Sequence, residues 1–380
     1  MRLLYCSRDY TTHDLRFVRA ITGAGIELCY LRLESDGLPY VADPLPDGAH
    51  WVQWAGGGAP RAAPLAVAEY LPAFASVLAA IRPDVVHAGP VQTFGLMAAL
   101  TRKVPTVLVS WGSDVLVDAQ RDAWYLWASQ TALRRCQAFF CDNPAVLEAA
   151  QYLAGDVLPP HLCLPWGPHA LPGRSNPAAR LALRRELGWD DCVVIISTRA
   201  WLAGYRVADL VDVFAAAAAR RPRLRLALLS GGPETAEVEA RIASHGIDRL
   251  VYRPGVVTEA RVGELLEASD AYLSLVPSDG TSISLLEAMT HGLPAIVARN
   301  PGNAEWVSDG TTGYLVDGAN EADWADRLIS LTDDPSTASR LGEGARSVAC
   351  HGADWSRNAA LLVDLYRRTA AQRPADQQAR

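Results

Sequence analysis

Nowhere in its 380 residues does this chain run the roughly 18 unbroken apolar residues that a membrane-spanning helix needs. It opens directly on the strand-like Arg2-Leu-Leu-Tyr-Cys6, so neither a transmembrane segment nor a signal peptide is expected. Cys-x-x-Cys pairs are also lacking. The seven cysteines (Cys6, Cys29, Cys136, Cys141, Cys163, Cys192, Cys350) are odd in number, and no nearby His or second pair makes a zinc set of Cys136 and Cys141. They read as buried apolar side chains in a reducing, cytoplasmic compartment. Positive charge is in deficit, with 35 Lys+Arg against 42 Asp+Glu for a net −7. That sign argues against nucleic acid, whose affinity comes largely from phosphate neutralisation, and against a basic membrane-docking face. A phosphate-bearing ligand would have to be held by a local site.

Half of the residues are hydrophobic and a fifth charged, which is globular composition. Single cores stop growing near ~250–300 residues, so two domains are expected. Short runs rich in Val, Ile and Leu alternate with helix-length stretches, the pattern of βαβ units and parallel sheets. Strands are expected at Arg2–Cys6, Ile26–Leu31, His50–Gln53, Val85–His87, Thr106–Ser110, Ala138–Cys141 and Leu162–Leu164. Helices fall between them near 14–24, 64–81, 92–102, 121–135 and 144–153. A second series follows at Val193–Ser197, Leu224–Leu229, Leu250–Tyr252, Ala271–Val276, Ala295–Ala298 and Tyr314–Val316, with tail helices near 320–332, 336–350 and 355–369. Pro165 to Pro177 holds four prolines and two glycines in thirteen residues, a linker composition. The expected organisation is a domain over 1–167, a linker over 168–177, a second domain over 178–350, and a last helix within 351–380 that packs back on the first domain.

Ligands of open parallel sheets bind outside the carboxyl ends of the strands. The residues at those ends are small, polar and charged where packing alone would ask for apolar ones. In the first half they are Ser7-Arg-Asp9, His87-Ala-Gly-Pro90, Trp111-Gly-Ser-Asp114 and Asp142-Asn143. In the second they are Thr198-Arg199, Gly231-Gly-Pro233, Arg253-Pro-Gly255, Ser278-Asp-Gly-Thr-Ser282 and Arg299-Asn-Pro-Gly302. A cleft between two domains is the expectation. The stretch Ser278 to Met289 runs from an apolar strand through Gly280 into a helix, and a Gly-rich turn feeding a helix N-terminus is a ready anion site. Asp279 sits before that helix and Glu287 about two turns inside it, a spacing that reaches two parts of one elongated ligand and suits a metal poorly.

The second half resembles the retaining GT-B glycosyltransferases of family 4, the glycosyl transferases group 1, which use nucleotide-activated sugars. Their acidic pair with seven residues between the two acids is matched by Asp279-Gly280 through Glu287-Ala288, with the first acid shortened to Asp. Gly292-Leu-Pro-Ala-Ile-Val297, Gly302-Asn-Ala-Glu305 and Gly310-Thr-Thr-Gly-Tyr-Leu-Val316 are similar to the family's next stretches, and Pro83-Asp-Val-Val-His87 and Pro165-Trp-Gly167 fit in the first half. The resemblance implies an α/β GT-B fold, two Rossmann-like doubly wound parallel-sheet domains facing each other across a cleft. It implies transfer of a sugar from a nucleotide-sugar donor to a hydroxyl with retention at the anomeric carbon, without a metal or other cofactor. A UDP- or GDP-sugar is the expected donor, lying mainly on the second domain, and a small molecule or glycan the expected acceptor, on the first. Carried over residue by residue, Glu287 meets the ribose hydroxyls, Asp279 faces the transferred sugar, and Arg199 binds the diphosphate. Amides around Gly280, Thr281, Ser282, Ile283 and Ser284 join them, with Gly231, Gly232 and Arg253 further donor-side candidates. In this family the acceptor hydroxyl is thought to attack on the face the phosphate leaves, a phosphate oxygen taking the proton. Asp279, Arg199 and His87 make up the expected catalytic set, and His13, Trp111 and Asp114 are the acceptor-side candidates.

The chain departs from the family in places. A Lys usually follows about five residues after the position of Arg199, but the only lysine here is Lys103, and Arg206 is the nearest cationic substitute. Asp9-Tyr-Thr-Thr-His13 replaces a Gly-Gly loop, and Trp111 stands where many relatives carry His. Plainer roles compete throughout. Asp279 could cap the helix, since Asp is a favoured N-cap. His87 could be a satisfied core imidazole, Arg199 and Arg206 ordinary ion-pair partners, Trp111 and Trp166 packing, and Asp114 the pin of its own turn. Rival functions are a phosphorylase or nucleotide-sugar epimerase on the same fold, and a non-catalytic subunit that binds a nucleotide sugar or a partner.

Overall fold

The computed structural model describes residues 1–33, 41, 43–57, 67–168, 176–318 and 320–372. The chain divides into two units, one of Met1–Pro39, Pro44–Trp166 and Trp355–Arg380, the other of Tyr40–Asp43 and Gly167–Asp354. The first domain thus ends at Trp166, and helix 355–370 groups with it. Of the expected linker only Pro168, Asn176 and Pro177 lie within the described residues. The amino-terminal start of the helix expected over 64–81 and the tail beyond Gln372 lie outside them too.

In the first unit β1 (Arg2–Ser7), α1 (Thr12–Gly23), β2 (Glu27–Arg32), β3 (Ala49–Val52), α2 (Val67–Ile81) and β4 (Val85–Ala88) come first. A wider helical turn, Val91–Gly95, runs into α3 (Leu96–Thr101). Then follow β5 (Thr106–Val109), α4 (Ser113–Leu116), α5 (Ala123–Arg135), β6 (Ala138–Cys141), α6 (Pro144–Ala154) and β7 (His161–Cys163). The seven strands are all parallel in the order β3-β2-β1-β4-β5-β6-β7. The central strands are buried along their whole length, which is why they read as continuous apolar runs rather than alternating ones. The last helix of the chain, α15 (Trp355–Ala370), belongs to this unit.

The second unit holds α7 (Pro177–Glu186), β8 (Val193–Ser197), α8 (Val207–Arg220), β9 (Leu224–Leu229), α9 (Thr235–Ser244), β10 (Val251–Gly255) and α10 (Glu259–Ala268). It continues with β11 (Ala271–Ser274), α11 (Ile283–Thr290), β12 (Ala295–Ala298), α12 (Pro301–Trp306), β13 (Gly313–Val316), α13 (Glu321–Asp333) and α14 (Pro335–Gly352), after which α15 (Trp355–Ala370) returns to the first unit. Its six parallel strands are ordered β10-β9-β8-β11-β12-β13. Along β8, Val194 and Ile196 pack on one face with Tyr272, Leu285 and Leu286, while Ile195 packs on the other with Val211 and Phe214 of α8. Each face therefore receives every second residue, as the pleat requires. Four helices begin at an Asx-Pro step, at Asn143, Asn176, Asn300 and Asp334. Each Asx side chain accepts from an N–H of the first turn, and the proline that follows has no N–H to satisfy.

In both sheets the order reverses beside the first strand of the unit, between β1 and β4 in one and between β8 and β11 in the other. A crevice opens at such a reversal, outside the carboxyl ends of the two strands. In the second unit the loops there touch backbone to backbone. A Cβ on Gly302 would fall 1.9 Å from the Gly280 carbonyl oxygen, and one on Gly232 only 2.4 Å from that of Trp201, whereas one on Gly231 would meet nothing within 4 Å. Gly232→Ala is therefore expected to destabilise the protein by about 1–3 kcal/mol, the range for forcing extra volume into packed structure. Gly231→Ala is expected to leave stability within ~0.5 kcal/mol, as surface changes do. Thermal unfolding of the two neighbouring variants compares them directly, and equal melting temperatures would contradict the close approach.

Candidate functional site

Two polypeptide segments meet at the reversal of the second sheet. One follows β8 and carries Thr198 and Arg199; the other follows β11 and carries Ser278 to Ser282 before α11 begins. Arg199 is the hub, with its side chain only 8% exposed. Nη1 donates to Ser282 Oγ at 3.0 Å and Ser284 Oγ at 3.1 Å, and Nη2 donates to Asp279 Oδ2 at 2.8 Å. The guanidinium lies over the Tyr205 ring, 4.0 Å from its centroid, a cation–π contact. Burial works against the charge on Arg199, but the Asp279 carboxylate, with Tyr205 and Tyr272, outweighs it, and its pKa is raised. Arg199 is a fixed cation.

The hydroxyls around it have little freedom. Ser282 is the N-cap of α11 and accepts from Leu285 N at 3.3 Å as well as from Arg199, which occupies both lone pairs. Its own O–H then points to Ser284 Oγ at 3.2 Å, and Ser284 passes its proton to Tyr272 Oη at 2.8 Å. The chain of donors runs away from Arg199, so both serines present it only lone pairs. Of the five guanidinium N–H groups, the Nε–H is buried and has no hydrogen-bond partner. Nε–H and one Nη2–H form the side-on fork that matches a carboxylate or phosphate. Ser197 Oγ and Thr198 Oγ1, just before Arg199, are likewise covered and unpaired.

The first N–H groups of α11 have no partner within the helix, and the positive end of its dipole faces the same loop. Ser282 rather than Asp279 is the cap, so Asp279 is left to the ion pair. Gly280, Thr281 and Ile283 are buried, and Ser284 and Glu287 are half-buried on α11. The loop is anchored from beyond, since Asn300 Nδ2 donates to Val276 O at 3.0 Å and Asn303 Nδ2 to Ala298 O at 2.8 Å. Gly231 O accepts from Trp201 N at 2.9 Å, which ties the loop after β9 to the one after β8. Among the described residues no three His, Cys, Asp or Glu side chains gather as a metal set would. A cavity of about 380 Å³ lies at the amino ends of β8, β11 and β12 instead, lined by Arg180, Asp270 and His291. Its two acids are already used, because Asp270 pairs with Arg180 and Arg184 and Glu267 accepts from Asn176 N at 3.1 Å.

Four expected site residues are placed elsewhere by the structure. His87 is not at a strand end, because β4 continues through Ala88. Its ring is fully buried, stacked on Tyr5 with centroids 4.0 Å apart, and its Nδ1 lies 2.6 Å from Tyr366 Oη of α15. Asp114 pins its own turn: it accepts from Ser110 Oγ at 2.6 Å, Val91 N at 3.0 Å and Trp111 N at 3.1 Å. Arg206 stands next to Tyr205 but pairs with Asp209 at 2.6 Å and makes none of the contacts of Arg199. Arg253 lies within β10, which runs on to Gly255, and pairs with Glu239 at 3.0 Å and Asp248 at 3.1 Å on the edge of the sheet. In the first unit His13 and Trp111 are half-buried, and their rings lie 5.7 Å apart over the buried Trp166. Tyr205 and Tyr272 were missed by sequence reasoning: one follows a Gly in an irregular stretch, and the other reads as a core residue of β11.

Residues 181–348 match the family model described as glycosyl transferases group 1, and residues 3–143 the one described as glycosyl transferase 4-like. The D-inositol 3-phosphate glycosyltransferase of Arthrobacter sp. (strain FB24) is 32% identical over 162 residues, 41% of this chain and 38% of the relative. The protein of that name from Xylanimonas cellulosilytica is 34% identical over 214 residues, 54% of this chain and 49% of the relative. The match spans less than half the length of these curated relatives. Among solved structures, sucrose-phosphate synthase from Thermosynechococcus elongatus has a TM-score of 0.76 at 18% identity, over 98% of this chain and 99% of that one. Anabaena HepE in complex with UDP and glucose has a TM-score of 0.75 at 16% identity, over 97% and 100%. At such identities the likeness is one of fold, and the fold is GT-B.

The enclosure of His87 has a measurable consequence. Burial lowers its pKa from the usual 6.5 to about 3. The unfolded chain takes up a proton near pH 6.5 that the folded protein refuses until about pH 3, so stability falls as pH drops below about 6.5, by ~1.4 kcal/mol per unit. Between pH 6.5 and 5.0 the protein should lose about 2 kcal/mol more than its His87→Gln variant, measured by denaturant unfolding. Parallel losses in the two proteins would mean that His87 is reached by solvent.

Proposed function

We propose that this chain is a member of the glycosyl transferases group 1 family and moves a sugar from a nucleotide-sugar donor to a hydroxyl acceptor. The observation that carries the reading is Arg199, a buried cation at the sheet reversal with its Nε–H unpaired, set against the N-terminus of α11. An anion with two or more oxygens fits that combination, and a nucleoside diphosphate is such an anion. In this reading Arg199 and the amides of Gly280 to Ser284 hold the diphosphate, Glu287 takes the ribose hydroxyls, and Asp279 the transferred sugar. The leaving diphosphate develops negative charge, and fixed donors in a dry site stabilise it without reorganising.

Several findings support this. A solved structure of the same fold contains UDP and glucose, and curated relatives are named for transfer to D-inositol 3-phosphate. The donor is a UDP- or GDP-sugar, and the acceptor a small molecule or glycan recognised by the first unit, with His13 and Trp111 as its contacts. Transfer goes with retention and without a metal. The acceptor oxygen bonds to the anomeric carbon as the carbon–phosphate oxygen bond breaks, and the acceptor proton goes to the departing phosphate. No side chain of the site is asked to act as a base, which suits a centre whose titratable neighbours are an ion-paired Asp and two tyrosines with raised pKa values.

Thermal shift against UDP-, GDP-, ADP- and TDP-sugars tests the reading. A ligand at 100 times its dissociation constant stabilises by ~2.7 kcal/mol. One of the four is expected to do so, and Glu287→Ala to erase the shift while melting within a few degrees of the parent. No shift with any of the four would overturn the proposal, and an undiminished shift in the variant would remove Glu287 from the ribose.

A further inference from the structure

We infer that Asp279 is an internal counter-ion that an incoming diphosphate must displace from Arg199, so that the site prefers an intact nucleotide sugar to the free nucleoside diphosphate. This rests on the donor reading above and adds to it a rule of discrimination.

In the unliganded chain the Arg199 charge is balanced within the protein at 2.8 Å by Asp279, itself only 18% exposed. The pair is dry enough that neither charge is readily left alone, because removing one partner from a buried ion pair strands the other. A diphosphate that reached the buried, unpaired Nε–H would bring at least two negative charges to the group that Asp279 already holds. With Asp279 in place, three or more negative charges would share one guanidinium, since the two serines that also bond it are neutral. If Asp279 withdraws, its carboxylate loses its charged partner and needs new donors in a half-buried place.

A sugar on the diphosphate supplies them. Its hydroxyls donate to a carboxylate, so the displaced acid exchanges an ion pair for charge-assisted hydrogen bonds. A free diphosphate offers none, and its binding includes the whole cost of displacing Asp279. The two ligands share every contact to Arg199 and to the amides of α11. They differ in the extra ionisable oxygen of the free terminal phosphate, whose charge Asp279 repels, and in what becomes of Asp279 itself, so the difference in affinity runs through that carboxylate. Once the sugar has left for the acceptor, Asp279 regains its reason to return to Arg199, and the spent diphosphate is pushed out.

Calorimetric titration with UDP, UDP-glucose, GDP and GDP-mannose tests this on the whole chain, its Asp279→Asn variant and an Asp279→Glu control that keeps the charge. Asp279→Asn should bind the free diphosphate about tenfold more tightly than the parent, and the preference for the sugar form should shrink by a similar factor. Asp279→Glu should keep the parent's order of affinities. Asp279→Ser replaces the Asn variant if that one fails to melt cooperatively, with the same expectation. If the parent binds these nucleotides but the uncharged variant holds the free diphosphate no better, the inference is overturned while the donor site stands. If neither protein binds any of the four, the donor reading falls and takes the inference with it.

Discussion

A guanidinium that has left water has to be compensated on every side, and the second unit is built around that requirement at Arg199. The Asp279 carboxylate balances the charge, Ser282 and Ser284 accept from one nitrogen, and the Tyr205 ring covers the face. Each partner comes from a segment that has its own reason to be there: Ser282 is the cap of α11, Tyr205 ends the short turn before α8, and Ser284 is bonded to Tyr272 of the sheet. Moving Arg199 by an ångström would break contacts with three separate elements. The cation is thus held by the fold rather than by its own flexible stem, and an anion that meets it finds the donors already oriented. That is the condition under which electrostatic stabilisation needs no rearrangement during reaction.

Why the site forms here follows from the topology. All-parallel sheets with crossover helices leave every strand's carboxyl end on one edge, and only where the strand order reverses do two neighbouring loops turn to opposite sides. β8 and β11 are that pair. Glycine then sets how tightly the loops close. Gly232 against Trp201 and Gly302 against Gly280 are contacts that no Cβ could enter, and both bring backbone, not side chains, to the border of the crevice. A site with backbone at its edges and a buried cation at its centre suits an anion by geometry. It does so without help from the long-range field, because the chain as a whole is negative.

Much of this was legible in the residues. The strands were readable because buried parallel strands are continuous runs of Val, Ile and Leu, and the pair Asp279 and Glu287 flanking a Gly-to-helix turn marked the loop that matters. What pattern could not supply was orientation across the third dimension. Arg199, Arg206 and Arg253 look alike as arginines near strand ends, but only Arg199 lies at the reversal; Arg206 has an acid three residues on, and β10 extends three residues past the point where its apolar run stops. His87 and Asp114 failed for a related reason. Strand ends are uncertain by a residue or two, and one residue is the difference between a side chain at the rim and one between Tyr5 and Tyr366. Tyr272, inside an apolar strand, could not be told from core, yet it terminates the hydroxyl chain that fixes Ser284.

The same uncertainty explains why the first unit gives up less of its chemistry. Its own reversal, between β1 and β4, is filled from within: Tyr5, His87 and Tyr366 stack and bond there, and Asp14 accepts from Tyr5 Oη at 3.0 Å and Thr11 Oγ1 at 2.6 Å. Burial raises the pKa of Asp14 while the hydroxyls of Thr11, Ser7 and Tyr5 oppose it, so Asp14 is satisfied without any ligand. The atom left over there is His87 Nε2, buried and without a partner, on a ring that burial keeps neutral, and a neutral ring has little to offer an incoming charge. Arg199 differs in that its unspent donor sits on a cation, and an unpaired buried N–H costs about 1–3 kcal/mol that an anion would offset. The asymmetry between the two reversals, one left with a neutral imidazole nitrogen and one with an unpaired N–H on a guanidinium, is one of charge in two sheets of the same design.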